Sequence, residues 1–184
     1  MIVIVAYNGR WPQEFEQIKA NLSEALGSLA LRIDHIGSTS VPGLGAKDVI
    51  DVQITVGALT EAARQALLTA GFQQFRENVT DHVPSGEDPT PENWQKFLFV
   101  ERAGERRANI HVRVAGKPNQ HYPLLFRDYL RAHPKSAEAV EIIKRQLAKH
   151  HGNDKETYYD IKDPVYDLIW DAAQRWAKFT NWSL

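Results

Sequence analysis

The chain contains 184 residues with a mass of 20.9 kDa, and a chain of this length is expected to form one domain. Hydrophobic residues make up 43% and charged residues 24%, which excludes a disordered, collagen-like or coiled-coil protein. The formal net charge of -1 provides no general basic field, so we expect no nucleic-acid partner. Because the sequence has no cysteine, disulfides, thiolate zinc sites and a cysteine nucleophile are excluded as well.

The chain begins with a short apolar segment. Residues 2–6 predict a buried strand, and without a preceding basic region they do not form a signal peptide. No stretch approaches the ~20 apolar residues of a membrane span, so we expect a cytoplasmic protein without membrane contact. Trp11 and Pro12 predict the start of a helix, which Gly27 ends. Its apolar residues recur at steps of three and four: Phe15, Ile18, Leu22 and Leu26.

The middle of the chain predicts a sheet. The expected strands are 29–36, 49–56, 96–101 and 109–114, and a helix is expected over 59–70. Residues 81–93 are polar and contain three prolines, so they predict a long surface loop. A loop of this length is typical of a lid over a site.

The C-terminal third predicts helices over 122–132 and 135–149, and a third helix that begins near Pro164. Strands followed by helices are typical of an α+β domain. We therefore expect one domain over 1–184, with a mixed β-sheet flanked by helices and a helical C-terminal third. Residues 176–184 are expected to form an extra tail.

A turn of small residues follows the second predicted strand, at Gly37, Ser38 and Thr39. Glycine lets a backbone approach a ligand closely, and successive N–H groups and hydroxyls hold phosphate. Lys47 adds a positive charge, and Asp51 lies on the polar face of the next strand, where a carboxylate suits Mg²⁺. The pattern predicts a nucleotide–Mg²⁺ site; the alternative is an ordinary turn beside a solvent-facing strand residue.

Three common phosphate-binding and hydrolase motifs are missing from the sequence. Neither Gly-x-x-x-x-Gly-Lys-[Ser/Thr] nor Gly-x-Gly-x-x-Gly occurs in the 35–56 run, which excludes a Walker loop and argues against a dinucleotide fold. The sequence also lacks Gly-x-Ser-x-Gly, so nothing supports a serine hydrolase.

The segment HIGSTSVPGLGAKDVIDVQITV (35–56) resembles the signature of the GrpB-like family, which belongs to the nucleotidyltransferase superfamily. Further similarity lies at Trp11-Pro12, at 110–112 and in FRDYLRAHP (126–134). The resemblance extends over nearly the whole chain, to about residue 174. In that family a similar domain also occurs fused to dephospho-CoA kinase, whose P-loop this chain lacks.

The resemblance implies a nucleotidyltransferase-like fold with a Gly-Ser turn at Gly37 and Ser38. It implies that Asp51 is the first metal-binding carboxylate and that Gln53 stands at the position of the second. The third carboxylate is expected from the 109–114 strand, which has no acid. Because a neutral amide is a weak Mg²⁺ ligand, the implied site has room for one Mg²⁺ or Mn²⁺ ion on Asp51.

Further candidate residues lie on the 109–114 strand and on the first C-terminal helix. His111 is a candidate metal ligand or general base, and Arg113 a candidate phosphate ligand; the alternative is an exposed strand face. Arg127 and Arg131 lie one helical turn apart and predict a joint phosphate contact, with an ion pair to Asp128 as the alternative. The far wall of the cleft is expected from Lys144, Tyr158 and Lys162.

These residues lead to three functional hypotheses. The first is metal-dependent binding of a nucleoside triphosphate or another phosphorylated metabolite, with transfer of a nucleotidyl group to a small acceptor and His111 as the base. The second is a non-catalytic ligand-binding or accessory module on a degenerate nucleotidyltransferase fold. The third is a homodimer in which Trp182 of the Trp-rich tail packs on a second subunit.

Overall fold

The structure is a computed structural model that describes the whole chain apart from the side chains of residues 77 and 78. The helices are α1 (Trp11–Leu26), α2 (Glu61–Thr69), α3 (Pro118–Ala132), α4 (Pro134–His151) and α5 (Lys155–Thr180). The strands are β1 (Ala30–Ile36), β2 (Ile50–Val56), β3 (Gln73–Thr80), β4 (Gln95–Val100) and β5 (Ala108–Val114). Among the described residues, no helix combines the length and the apolar character needed to cross a membrane.

The five strands form one mixed sheet in the order β1-β2-β5-β4-β3. β1 pairs with β2 in antiparallel fashion, and β2 pairs with β5 in parallel. The parallel register places Asp51 beside Asn109, and Gln53 beside His111. The candidate strands 49–56 and 109–114 therefore lie side by side in the sheet.

Helices cover both faces of the sheet. The apolar stripe of α1 packs with α2 and the sheet in one core, in which Trp11 and Leu22 are fully buried. On the other side α3 contacts β1 and β5, while α4 and α5 pack against α3. Burying each large apolar side chain contributes about 1.5–3 kcal/mol. The α+β architecture with a helical C-terminal third is confirmed.

The predicted N-terminal strand over 2–6 is wrong. This segment makes a single bridge, in which Val5 and Ala46 exchange backbone hydrogen bonds, and the N–H of Ile2 donates to the carbonyl of Gly152 at 2.6 Å. Ile2 and Ile4 are buried while Val3 and Val5 are exposed, so burial alternates along the segment as it does along a strand. The neighbours are a loop and a helix end, which offer no continuous edge for a ladder.

The third C-terminal helix starts earlier than predicted. α5 begins at Lys155 because Asp154 caps it, accepting from the backbone N–H of Thr157 at 3.0 Å. Pro164 lies inside the helix, where it removes one backbone hydrogen bond without ending the element. The rule that proline marks a helix start therefore misplaced this boundary by about nine residues.

The tail residue Trp182 packs on its own chain. Its indole Nε1 donates to Asp128 of α3 at 3.1 Å, and its ring meets the ring of His121 edge-on at 5.0 Å. The aromatic surface that suggested a partner contact is thus occupied by α3. A homodimer stays a prediction.

Candidate functional site

A cleft of about 340 Å³ lies between the sheet, at β2 and β5, and helices α3, α4 and α5. It brings together eight of the nine predicted site residues: Gly37, Ser38, Thr39, Lys47, Asp51, His111, Arg113 and Arg127. The ninth, Gln53, does not line the cleft. The predicted far wall is present too, in Lys144, Tyr158 and Lys162.

The Gly37–Ser40 turn forms one end of the cleft, directly after β1. Gly37 has a φ of 68°, and the Ser40 hydroxyl donates to its carbonyl at 2.6 Å. Thr39 is buried, with its hydroxyl 2.9 Å from Nε2 of His35. Burial and nearby arginines lower the pKa of His35 to about 4, so this imidazole is neutral at pH 7. Both Ser38 and Thr39 line the cleft, and the contact with His35 engages the Thr39 hydroxyl.

Two arginines of α3 hold this turn from outside. Arg127 donates to the carbonyl of His35 at 3.0 Å, and Arg131 donates to the carbonyl of Ser40 at 2.7 Å. Arg127 also forms an ion pair with Asp128 at 2.7 Å. The predicted alternative, an ion pair within α3, is therefore what the structure contains. Arg127 lines the cleft, but its guanidinium is already engaged.

Asp51 lies on the floor of the cleft. Its Oδ1 accepts a hydrogen bond from Nδ2 of Asn109 at 2.8 Å, across the parallel β2–β5 pair. Burial raises the pKa of Asp51, while Asn109 and the charges of Lys47, Arg113 and Lys144 act in the opposite direction. The carboxylate therefore sits among cations rather than among other acids.

The side chain of Gln53 lies in the interior. It extends from the same face of β2 as Asp51, but α3 covers that face at position 53. The side chain is fully buried, and its Nε2 donates to the carbonyl of Gln120 at 2.8 Å. Its Oε1 accepts from Nη1 of Arg113 at 2.8 Å. The expectation that this position contacts a ligand is not met, since both ends of the amide are engaged by the protein.

Next to Gln53 lies a buried cluster of charges. Arg113 donates to both carboxylate oxygens of Asp81, at 2.8 and 2.9 Å, and Lys96 also donates to Asp81. Burial alone would raise the pKa of Asp81, but Arg113 and Lys96 hold it well below its ordinary value. Asn119 completes the cluster with a hydrogen bond to Asp81 at 3.2 Å. Asp81, predicted to belong to a surface loop, is thus an internal counterion.

His111 faces this cluster with one ring nitrogen. Its Nδ1 lies 3.1 Å from Nζ of Lys96 and 3.3 Å from Nη2 of Arg113, both of which are donors. Burial and these two cations hold the pKa of His111 well below its ordinary value. The ring is neutral with Nδ1 as acceptor, which leaves the proton on Nε2. This geometry disfavours the predicted role of His111 as a general base or metal ligand.

The residues of the cleft do not fit a two-metal centre. Asp51 is the single carboxylate in the described lining, and the part of the chain described here contains no group of three metal-binding side chains. Asn109 stands beside Asp51, Gln53 is turned inward, and Asp81 is neutralised by its two cations. Divalent Mg²⁺ prefers several oxygen ligands, which this donor set does not supply.

Lys144 of α4 reaches the cleft beneath the turn. It is buried, and its Nζ donates to the Ser38 hydroxyl at 2.8 Å and to the Gly45 carbonyl at 2.7 Å. Burial lowers the pKa of Lys144 to about 7, and the charges of Lys47 and Lys162 contribute to the change. The three lysines therefore act on one another electrostatically at the same end of the cleft.

The other two lysines meet around Tyr159. Nζ of Lys47 donates to the Tyr159 hydroxyl at 2.7 Å. Nζ of Lys162 lies 5.3 Å from the ring centre of Tyr159 and 4.1 Å from that of Tyr166. Lys162 also has a counterion, Asp163, at 2.6 Å. These neighbours thus hold each ammonium group in place beside the cleft.

Aromatic rings form the wall on the side of α3 and α5. The rings of Tyr122 and Phe126 stack with their centres 5.8 Å apart, and those of Phe126 and Tyr166 stack at 4.9 Å. All three residues line the cleft. Such a wall suits a flat or apolar part of a ligand.

Several lining residues are not predicted by the sequence, among them Asn109, Tyr122, Phe126 and Tyr166. The parallel register of β2 and β5 places Asn109 beside Asp51. No ligand-binding motif marks the three aromatic residues. They lie more than 70 positions after Asp51 and join it only through the packing of α3 and α5.

The family model described as GrpB protein matches residues 1–172 of this chain. A protein of Mycolicibacterium paratuberculosis named dephospho-CoA kinase is 34% identical over 194 residues, which cover 97% of this chain and 47% of that protein. The chain thus spans about half the length of the first curated relatives that it matches.

Two solved structures show the same fold. The conserved protein GrpB from Enterococcus faecalis matches with a TM-score of 0.76 and 25% identity, over 94% of this chain and 98% of that one. A structure of Cid1 in complex with its short product ApU matches with a TM-score of 0.50 and 11% identity, over 79% of this chain and 43% of that one. The second likeness is one of fold alone.

Proposed function

The chain belongs to the GrpB family, and we propose that its cleft binds a phosphorylated small molecule, with a nucleotide as the favoured class. The observation that carries this proposal is that the cleft combines ammonium groups with aromatic rings. Its cationic side holds three lysines and the Ser38 hydroxyl, its aromatic side holds Tyr122 and Phe126, and Tyr166 lies where the two meet, with Nζ of Lys162 4.1 Å from its ring centre. A ligand with an anionic group and a flat apolar group matches both sides.

The cationic side supports the phosphate part of the proposal. The described lining residues include three lysines, Lys47, Lys144 and Lys162, but a single carboxylate, that of Asp51. Ammonium groups and hydroxyls both donate to phosphate oxygens, and an ammonium group adds a full positive charge. The low overall charge of the protein does not oppose this, because the field at a site depends on nearby charges.

The aromatic side supports a nucleotide over a simple phosphate ester. A base stacked on an aromatic ring gains about 1–3 kcal/mol, as measured by replacing such rings. Tyr166 and Phe126 present stacked rings to the same cleft as the lysines. The family's likeness in fold to nucleotidyltransferases agrees with this class of ligand but identifies no particular nucleotide.

Transfer of a nucleotidyl group stays a prediction, and binding without turnover is the second candidate function. The second candidate is favoured by the position of Gln53, whose amide is engaged inside the protein and adds no ligand to Asp51. The kinase activity named for the mycobacterial relative belongs to a protein about twice as long and forms no part of this proposal. A cytoplasmic location and a divalent cofactor likewise stay predictions.

The proposal is tested by titration calorimetry with ATP, ADP, AMP and inorganic pyrophosphate. We expect a nucleotide to bind more tightly than pyrophosphate. The variant Tyr166→Leu is expected to weaken nucleotide binding about tenfold and pyrophosphate binding less, because the ring contacts the base and also holds Lys162 beside the cleft. The matched control is Phe179→Leu on the same helix, an exposed ring outside the cleft. Equal affinity of Tyr166→Leu and wild type for every nucleotide would exclude the aromatic wall as a ligand surface.

A further inference from the structure

A site that binds phosphate must supply positive charge. Nucleotide sites do so with a divalent cation held by carboxylates, with lysine and arginine side chains, or with both. Binding through a metal and binding through side chains require different residues in the site. A metal needs several free oxygen ligands, whereas direct binding by side chains needs cations that are not already neutralised.

The carboxylates in and near this cleft are too few, and already have too many hydrogen-bond and ion-pair partners, to bind a divalent cation. Asp51 gives one oxygen to Asn109. Asp81 does not line the cleft, and its charge is already balanced because it accepts from Arg113 and Lys96. Among the described residues no acid other than Asp51 lines the cleft.

The cations of the cleft are in surplus. Lys47 comes from the loop before β2, Lys144 from α4 and Lys162 from α5, so three separate elements place ammonium groups at one end. Lys144 and Lys47 have no carboxylate within ion-pair distance among the described residues, whereas Lys162 has Asp163. Like charges that share a site raise its free energy, and a bound anion relieves this repulsion.

We propose that this cleft binds the phosphate groups of its ligand without a divalent cation, and that Lys47, Lys144 and Lys162 supply the positive charge instead. The inference rests on the proposed function and specifies how that function is carried out. It assigns Asp51 an effect opposite to that of a metal ligand. As an anion beside the phosphate, its carboxylate weakens binding.

Two consequences separate this site from a metal site. Mg²⁺ complexes oligophosphates in solution and competes with the lysines, so it weakens binding here, whereas a metal site requires it. Asp51→Asn keeps the shape of the side chain and removes its charge. Removing a like charge beside the anion is expected to tighten binding roughly fivefold. In a metal site the same change abolishes binding.

The experiment is calorimetric titration of the full chain with inorganic pyrophosphate and with ATP, in excess EDTA and in excess MgCl₂. Wild type, Asp51→Asn and the control Asp171→Asn are compared. Asp171 is exposed on α5 and pairs with Arg175, so its replacement changes the net charge equally but outside the cleft. We expect binding in EDTA, weaker binding in MgCl₂, tighter binding by Asp51→Asn and no change for Asp171→Asn.

Binding that requires Mg²⁺, or an affinity of Asp51→Asn equal to or below that of wild type, overturns the inference. Should pyrophosphate or ATP bind only in MgCl₂, the proposed function stands and the metal-free inference fails. Should neither bind in either buffer, both fail together. If Asp51→Asn does not fold, as judged by thermal unfolding, the comparison of EDTA with MgCl₂ on wild type still decides.

Discussion

The backbone of Gly37 lies directly against the side chain of Asp51. A Cβ atom at position 37 would stand 2.9 Å from the Cβ atom of Asp51, closer than side-chain atoms pack. Gly37 also has a φ of 68° and a ψ of -174°, a region that is essentially restricted to glycine. The Gly37–Ser40 turn and strand β2 therefore meet at position 37, which admits no side chain.

We predict that Gly37→Ala destabilises the protein by about 1–3 kcal/mol through backbone strain, with a further loss from the clash with Asp51. The measurement is the free energy of unfolding in urea. Gly43→Ala is the matched control, because Gly43 also has a positive φ but nothing stands within 4 Å of its added Cβ. Equal losses in the two variants would show that Asp51 does not restrict position 37.

The ordinary lysine pKa and that of Lys144 differ enough to make stability depend on pH. Burial lowers the pKa of Lys144 to about 7 in the folded protein, whereas unfolded lysine titrates at about 10.4. Between these values the unfolded chain binds more protons, so the free energy of unfolding rises as the pH increases above about 7. For one such group the rise is on the order of 2 kcal/mol between about pH 7 and about pH 9.

We therefore predict that the free energy of unfolding of Lys144→Met does not show this rise. Between about pH 7 and about pH 9 it stays level, whereas that of wild type increases. Urea unfolding of both proteins across that pH range provides the measurement. Two curves with the same slope would contradict the low pKa of Lys144. Lys149→Met is the control, since it removes a lysine from an exposed position of the same helix.

Replacing Asp81 is predicted to be strongly destabilising. Asp81→Asn leaves Arg113 and Lys96 buried together without their counterion, and such a loss typically costs about 3–5 kcal/mol. Asp171→Asn breaks an exposed pair and is expected to cost under about 1 kcal/mol. Chemical denaturation of both variants tests this difference, and similar losses would mean that the Asp81 cluster contributes no more than a surface pair.

Gln53→Glu restores an acid at the position where the superfamily pattern has one, yet we predict that it destabilises the protein. A carboxylate cannot donate to the Gln120 carbonyl, which loses its buried partner at a cost of about 1–3 kcal/mol. Arg113 still donates to the new side chain and offsets part of this loss. Gln13→Glu, on the exposed side of α1, is the control. A more stable Gln53→Glu would contradict the inward orientation of this amide.

The local part of the site was predictable from the sequence. Gly37, Ser38 and Asp51 lie on consecutive elements, and the antiparallel pairing of β1 with β2 brings the turn and the carboxylate together. Alternation along β2 correctly separated Asp51 and Gln53 from the apolar face. Short-range chain geometry was sufficient for these positions.

The sequence by itself thus determined the fold class, the strands β1, β2, β4 and β5, and the turn-plus-carboxylate pair. Only the tertiary structure decided what each polar group faces. Alternation shows that Gln53 shares a face with Asp51, but the packing of α3 decides that one is enclosed and the other open to the cleft. Lys144 and Lys162 line the same cleft as Asp51 although they lie about 100 residues away in the chain, because burial of the apolar faces of α4 and α5 fixes their position.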